Sequence, residues 1–247
     1  MQSVERIKGR KEPIVDLQGS NAAHLDESPK GSAPWRPRRS EPLYHSIRLL
    51  GRLCFGVCYQ IRIEGRENIP RHGPGILLPK HQFWTDIPIV ALAAGRPLSF
   101  IAKQELFLYP GIRHFLSSLG GVPIDRQHPI RNLDTFRYAE QLLQREEFIV
   151  LFPEGTYYPR RMGRGKHGFI QRILRFQEKM GWAQNRAIPF IPMGIQYQKG
   201  RLRTVARVRI GPSLVAPRGT EGIAFTRRIM ARISELSGLD PFPEEKE

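Results

Sequence analysis

The apolar positions along the chain fall into short runs that alternate between two periods. Leu43, Ile47, Leu50, Cys54 and Val57 recur at helical spacing, with Leu49, Leu53 and Phe55 widening the stripe, so residues 43–60 read as an amphipathic helix. Arg48 and Arg52 interrupt that stripe. A bilayer span needs about 20 mostly apolar residues, so a helix lying in a membrane interface fits better, and the same stripe also suits packing on a core. Ile61 and Ile63 then form a short strand ending at Gly65, and GPGILLP from Gly73 is an apolar run bounded by glycine and proline. From there helices are predicted over 86–94, 110–119, 130–145 and 168–180, and strands over 98–102, 122–124, 148–152 and 187–195. Residues 201–210 alternate strictly, with Leu202, Thr204, Ala206, Val208 and Ile210 on one face and Arg201, Arg203, Arg207 and Arg209 on the other. A last helix over 221–236 turns Ile223, Ile229, Ile233 and Leu236 inward. This order predicts an α/β fold: a mixed, largely parallel central sheet flanked by helices, with an N-terminal amphipathic, membrane-interacting helix.

Residues 1–42 mix glycine, serine, proline and charges without apolar periodicity, ending in PWRPRR, and are expected to form a disordered or loosely attached arm before a domain over 43–247. The start, MQSVERIKGRKE, places charges where a signal peptide would need an apolar run, so a cytosolic-side setting is expected. Cys54 and Cys58 lie four apart on one helical face, which suits buried or lipid-facing thiols rather than a redox or zinc pair.

Charge changes the picture. The formal net charge is +16, and residues 155–220 hold 14 basic side chains against Glu178 alone. An anionic partner is expected, and a solvated face accounts for such a run equally well. The arginines lack the aromatic interleaving of a nucleic-acid platform, and no nucleic-acid motif is present.

His81 follows the apolar strand ILLP and precedes a helix whose start is marked by Thr85 or Asp86 and by Pro88. It therefore sits at the carboxyl end of a strand, where open α/β sheets bind ligands. Within a regular helix His81 and Asp86 would diverge, so the histidine must lie in the preceding turn for the carboxylate to reach it. An imidazole held at one nitrogen by a carboxylate keeps the other free to take a proton from a hydroxyl. Alternatively, Asp86 only caps its helix. His45, His72, His114, His128 and His167 have no partner at ligand spacing, so no metal is expected, and the glycines at 163, 165 and 168 fit neither a dinucleotide fingerprint nor a P-loop.

Four blocks in order, KHQFWTD, GGVPIDR, FPEGT and IPFIP, together with GRENIP and KHG, make residues 60–215 resemble the PlsC-like glycerol-phosphate and phospholipid acyltransferases, typified by 1-acyl-sn-glycerol-3-phosphate acyltransferase. The resemblance implies that His81 is the general base for the acceptor hydroxyl and Asp86 its orienter. It implies a substrate-binding set of Arg126, Phe152, Pro153, Glu154, Gly155, Thr156, Arg160, Arg161, Lys166 and Pro192. Of these, Arg126 and the backbone around Glu154 and Gly155 would hold the phosphate end of the acceptor, and Pro192 would wall the acyl-donor site. Such a protein uses acyl-CoA or acyl carrier protein as co-substrate and no cofactor, and works on lysophospholipid at the cytoplasmic face of an anionic membrane, as a peripheral protein. The family carries arginine after FPEGT where this chain has Tyr157 and Tyr158. Either Arg160 or Arg161 loops back to replace it, or the acceptor is a different one, such as a lyso-aminolipid or glycerol 3-phosphate. A non-catalytic basic module for lipid or nucleic acid is the remaining alternative.

Overall fold

The computed structural model describes residues 40–125, 132–180 and 187–243. The expected arm thus lies outside the described residues as far as residue 39, and its last two positions, 41 and 42, already belong to the first helix.

One seven-stranded sheet organises the chain. Its strands are β1 (Tyr59–Glu64), β2 (Gly75–Pro79), β3 (Leu98–Lys103), β4 (Gly121–Ile124), β5 (Phe148–Val150), β6 (Phe190–Lys199) and β7 (Thr204–Ile210). Their order in space is β1-β7-β6-β2-β5-β3-β4. Every neighbouring pair is parallel except β6 and β7, which form an antiparallel hairpin. The central strand β2 is buried along all five residues, because helices cover both faces of the sheet. Alternation splits its side chains: Ile76 and Leu78 join the layer under α4 (Leu133–Gln144), α5 (Gly168–Lys179) and α6 (Gly222–Ser237), whereas Leu77 joins the layer under α1 (Glu41–Cys58) and α2 (Asp86–Ala94). A slip of one residue would exchange these sets, so burial on both sides fixes the register that places Lys80 and His81 just past the strand end.

Two glycines serve this packing. Gly95, at φ 76°, ends α2 in the left-handed conformation. Gly194 lets the α6 backbone touch β6, since a Cβ there would lie 2.3 Å from the carbonyl carbon of Leu236.

Several sequence expectations shift. Helix α1 stops at Cys58, so Tyr59 and Gln60 belong to β1. The helix packs inward through Tyr44, Ile47 and Phe55 and turns Leu49, Leu50, Leu53 and Val57 outward, each 59–73% exposed. Among the described residues no helix is long and apolar enough to cross a membrane. Cys54 and Cys58 are exposed free thiols. Leu202 is not on the inner face of β7 but in the turn before it, because the strand starts only at Thr204. Ile223 is exposed and Phe225 takes the inward position in α6.

The basic stretch is distributed over several elements. Arg207 and Arg209 lie within 3.6 and 3.3 Å of Glu64 on β1. Arg172, Arg175 and Lys179 of α5 line a recess with Glu140. Arg160 and Arg161 stand at the carboxyl edge of the sheet.

Candidate active site

The carboxyl ends of β2 and β5 meet at one edge, and the turn 80–85 and the segment 151–163 close over it. His81 Nδ1 lies 3.1 Å from Asp86 Oδ2, with the histidine in the turn and the aspartate opening α2, as the five-residue spacing required. Asp86 is fully buried. Its Oδ2 also accepts the N–H groups of Gln82 at 2.5 Å and Phe83 at 2.8 Å, and its Oδ1 accepts the hydroxyl of Tyr197 at 2.5 Å. The carboxylate thus closes the turn before α2 rather than capping the helix, and its four partners fix its plane and, through it, the imidazole. Thr85 stands at the N-cap without a side-chain cap bond. Burial first, then the charge of Asp86, pushes the Tyr197 phenol well above its ordinary pKa, so it stays a donor.

Two aromatic rings pack against the imidazole. Phe152 stacks on it with ring centroids 3.9 Å apart, and Tyr157 leans over it at 4.3 Å. Its backbone is clamped too: the N–H donates to Glu154 Oε2 at 2.9 Å, and the carbonyl accepts the N–H of Tyr158 at 2.9 Å. Among the described residues no hydrogen bond occupies Nε2.

Beneath the histidine lies a buried ion pair. Lys80 Nζ donates to both oxygens of Glu154 at 2.8 Å and to the carbonyls of His81 and Tyr158 at 3.1 and 2.9 Å. Both side chains are 0% exposed. Burial pulls the Lys80 ammonium below its ordinary pKa, and the Glu154 carboxylate opposes that shift. Glu154 additionally accepts the N–H of Gly163 at 2.5 Å. Its carboxylate is thus committed to joining β2, FPEGT and the basic loop.

The other expected site residues divide. Gly155, at φ 69°, makes the turn after Glu154, and the Lys166 stem lies over it. Pro153 accepts the Lys166 N–H at 2.8 Å, and Thr156 is exposed beside them. Arg160 and Arg161, with Phe83, Tyr157, Tyr158 and Pro159, line an open recess of about 850 Å³ next to His81. That volume is in the range of small-molecule sites. Pro192 is not brought to this recess: it pairs with Leu78 inside the sheet, and Gly211 separates its ring from Leu236. Arg126 lies outside the described residues. Among the described residues no cluster of His, Cys, Asp or Glu could hold a metal.

Sequence reasoning missed Tyr197 and Lys80. The signal for Tyr197 was parity, since Met193, Ile195 and Tyr197 share one face of β6 and Met193 and Ile195 are core residues there. The signal for Lys80 was a cation directly after a fully apolar strand, where only a buried acid such as Glu154 could compensate it.

Fold and site define an α/β protein with a hydrogen-bonded His–Asp pair at a sheet edge. The family profile described as Acyltransferase matches residues 60–196, more than half of the chain. The chain belongs to this acyltransferase family. It is 35% identical over 99 residues to the chloroplastic 1-acyl-sn-glycerol-3-phosphate acyltransferase LPAT1 of Arabidopsis thaliana, covering 40% of this chain and 28% of that protein. It is 30% identical over 150 residues to the lyso-ornithine lipid O-acyltransferase of Pseudomonas aeruginosa, covering 61% of this chain and 52% of the relative. The chain therefore spans about a quarter to a half of the length of these curated relatives. The crystal structure of the 1-acyl-sn-glycerophosphate acyltransferase PlsC from Thermotoga maritima shares the fold, with a TM-score of 0.61 at 23% identity, covering 79% of this chain and 78% of that one.

Proposed function

We propose that this protein transfers a fatty acyl group from acyl-CoA or acyl carrier protein to the hydroxyl of a lysophospholipid, with 1-acyl-sn-glycerol-3-phosphate as acceptor and phosphatidate as product. The observation that carries this reading is the His81 Nδ1 to Asp86 Oδ2 contact of 3.1 Å beside a recess edged by Arg160 and Arg161. Nε2 of His81 takes the acceptor's hydroxyl proton as its oxygen attacks the thioester carbonyl. The carbon–sulfur bond then breaks, and the imidazolium returns its proton to the departing thiolate. Arg160 and Arg161 hold the acceptor phosphate, with Arg126, Gly155, Thr156 and Lys166 as further contacts. The names of the relatives from Arabidopsis thaliana and Pseudomonas aeruginosa agree with acyl transfer to a lysolipid.

Tyr157 supports a second reading. Its ring covers His81 where the family's arginine would stand, which favours an acceptor without a phosphate at that point, such as a lyso-aminolipid.

In this proposal α1 lies in the cytoplasmic interface of a membrane, with Leu49, Leu50, Leu53 and Val57 toward the lipid. Incubation with labelled acyl-CoA or acyl carrier protein and a panel of lysophosphatidate, glycerol 3-phosphate and lyso-ornithine lipid tests it. Product from lysophosphatidate alone supports the first reading and product from the lyso-aminolipid alone the second. Transfer to none of them, with either donor, overturns both.

A further inference from the structure

The hairpin β6–β7 runs past the end of the strand that carries His81. The last rung between β2 and β6 joins Pro79 to Met193, and β6 continues to Lys199 against Thr204 of β7. Six residues of strand project roughly 20 Å beyond the end of β2 at about 3.3 Å each. Tyr197, which reaches Asp86, stands partway along this projection. The turn 200–203 therefore lies past the catalytic turn on the same side of the sheet.

At its tip Leu202 is 92% exposed, and Lys199, Arg201 and Arg203 around it are exposed cations. The Gly200 N–H closes the turn on the Arg203 carbonyl at 3.1 Å, so the leucine is presented on a formed turn. Arg203 Nη1 also donates to the Gly56 carbonyl at 2.6 Å, which joins the tip to the last turn of α1 beside Val57, itself 73% exposed. From the other side Phe55 meets Trp84 edge-on at 6.3 Å, and Trp84 is 66% exposed. Leu202 is thus tied through Arg203 to the turn of α1 that exposes Leu53 and Val57, with cations around it. No acidic residue occurs in the chain between Glu178 and Glu221.

We propose that the β6–β7 turn is a second lipid contact, in which Leu202 enters the apolar boundary of an anionic bilayer while Lys199, Arg201 and Arg203 pair with lipid phosphates. The proposal rests on the membrane reading of α1 given above. Charge selects the occupant, because three cations around one exposed leucine match an anionic headgroup layer over an apolar interior. A single exposed leucine would need no explanation alone. Its tie to α1 makes it part of a larger surface and sets the height of His81 above the lipid.

The test uses the full chain and sedimentation with vesicles that contain no acceptor. One set is pure phosphatidylcholine and the other equimolar phosphatidylcholine and phosphatidylglycerol. Leu202→Ser is expected to weaken binding to the anionic vesicles roughly tenfold, and Leu202→Ile to restore it. Lys199→Gln with Arg201→Gln is expected to lower binding to the anionic set by about tenfold or more and to leave the neutral set unchanged. Acyl transfer to a detergent-dispersed lysolipid is expected to be unchanged in Leu202→Ser, which shows that the variant is folded and keeps the enzymatic reading separate. Anionic-vesicle binding equal to the parent in Leu202→Ser and in the double variant overturns the lipid contact even if transfer is intact. Absence of vesicle binding by the parent protein overturns it together with the membrane reading.

Discussion

Tyr197 donates its phenol proton to Oδ1 of Asp86 over 2.5 Å, while Oδ2 of the same carboxylate takes His81 Nδ1 at 3.1 Å. A residue of the projecting hairpin therefore holds the orienter of the histidine. The ring of Tyr197 is in turn packed by Phe83 at 5.4 Å and Tyr59 at 6.2 Å, and Tyr59 stacks on Phe55 of α1.

Replacing Tyr197 by Phe removes that donor and keeps the ring. A hydrogen bond to a charged group contributes about 1.5–3 kcal/mol, so kcat is expected to fall about tenfold or more with KM for the acceptor little changed. A change confined to KM would show that Tyr197 serves substrate binding instead.

The same phenol gives a pH signature. Its pKa is raised above the ordinary 10.0. The folded protein keeps this proton where the unfolded chain releases it, so the stabilisation is complete below about pH 10 and declines as pH rises beyond it, by up to about 1.4 kcal/mol per pH unit. Denaturant titrations above pH 10 are expected to show a shallower decline for Tyr197→Phe than for the parent. Equal slopes would contradict the buried, bonded phenol.

His81→Ala is expected to lower kcat by roughly 10²–10⁴-fold, the usual range for a general base. Asp86→Asn adds a structural cost, because an amide cannot accept from all four donors and each stranded donor costs about 1–3 kcal/mol. Activity that survives His81→Ala, followed by mass spectrometry of the lipid product, would end the assignment.

Lys80 and Glu154 make a charge pair whose halves cannot be removed singly without cost. Lys80→Met strands a buried carboxylate and is expected to destabilise the fold by about 3–5 kcal/mol. Lys80→Met with Glu154→Gln is expected to recover part of the loss, because no net charge remains buried. Thermal unfolding of the three proteins checks this. A double variant less stable than Lys80→Met would mean that the bonds from Glu154 to His81 and Gly163 outweigh the charge.

Arg160→Gln together with Arg161→Gln is expected to raise KM for lysophosphatidate by about tenfold or more and to leave the rate at saturation nearly unchanged. Steady-state kinetics on the phosphate-bearing acceptor and on a lyso-aminolipid separate the two readings. Equal effects on both would remove phosphate recognition from these arginines.

Most of the sheet was legible in the sequence because its strands are short apolar runs punctuated by glycine and proline. Element edges moved where a neighbour decided them: β6 starts at Phe190 rather than 187 and runs on to Lys199 because β7 pairs with its second half. The His81 turn was legible for a related reason, since five residues can bridge a strand end and a helix start only through a turn. Arg160 and Arg161 share a recess with Tyr157, whose ring lies against His81, whereas Pro192 pairs with Leu78 inside the sheet.

The sequence alone determined the alternation of elements and the order of the blocks, which follow from local period and spacing, and it singled out the His–Asp pair through the blocks around it rather than through their spacing. Only the tertiary structure decided what holds that pair. Tyr197 is 111 residues from Asp86, and Glu154 is 74 from Lys80. Such contacts depend on which strands become neighbours, and strand order is set by burial on both faces of the sheet. The outward turn of the apolar side of α1 has the same origin, since periodicity defines a stripe and only packing decides which way it faces.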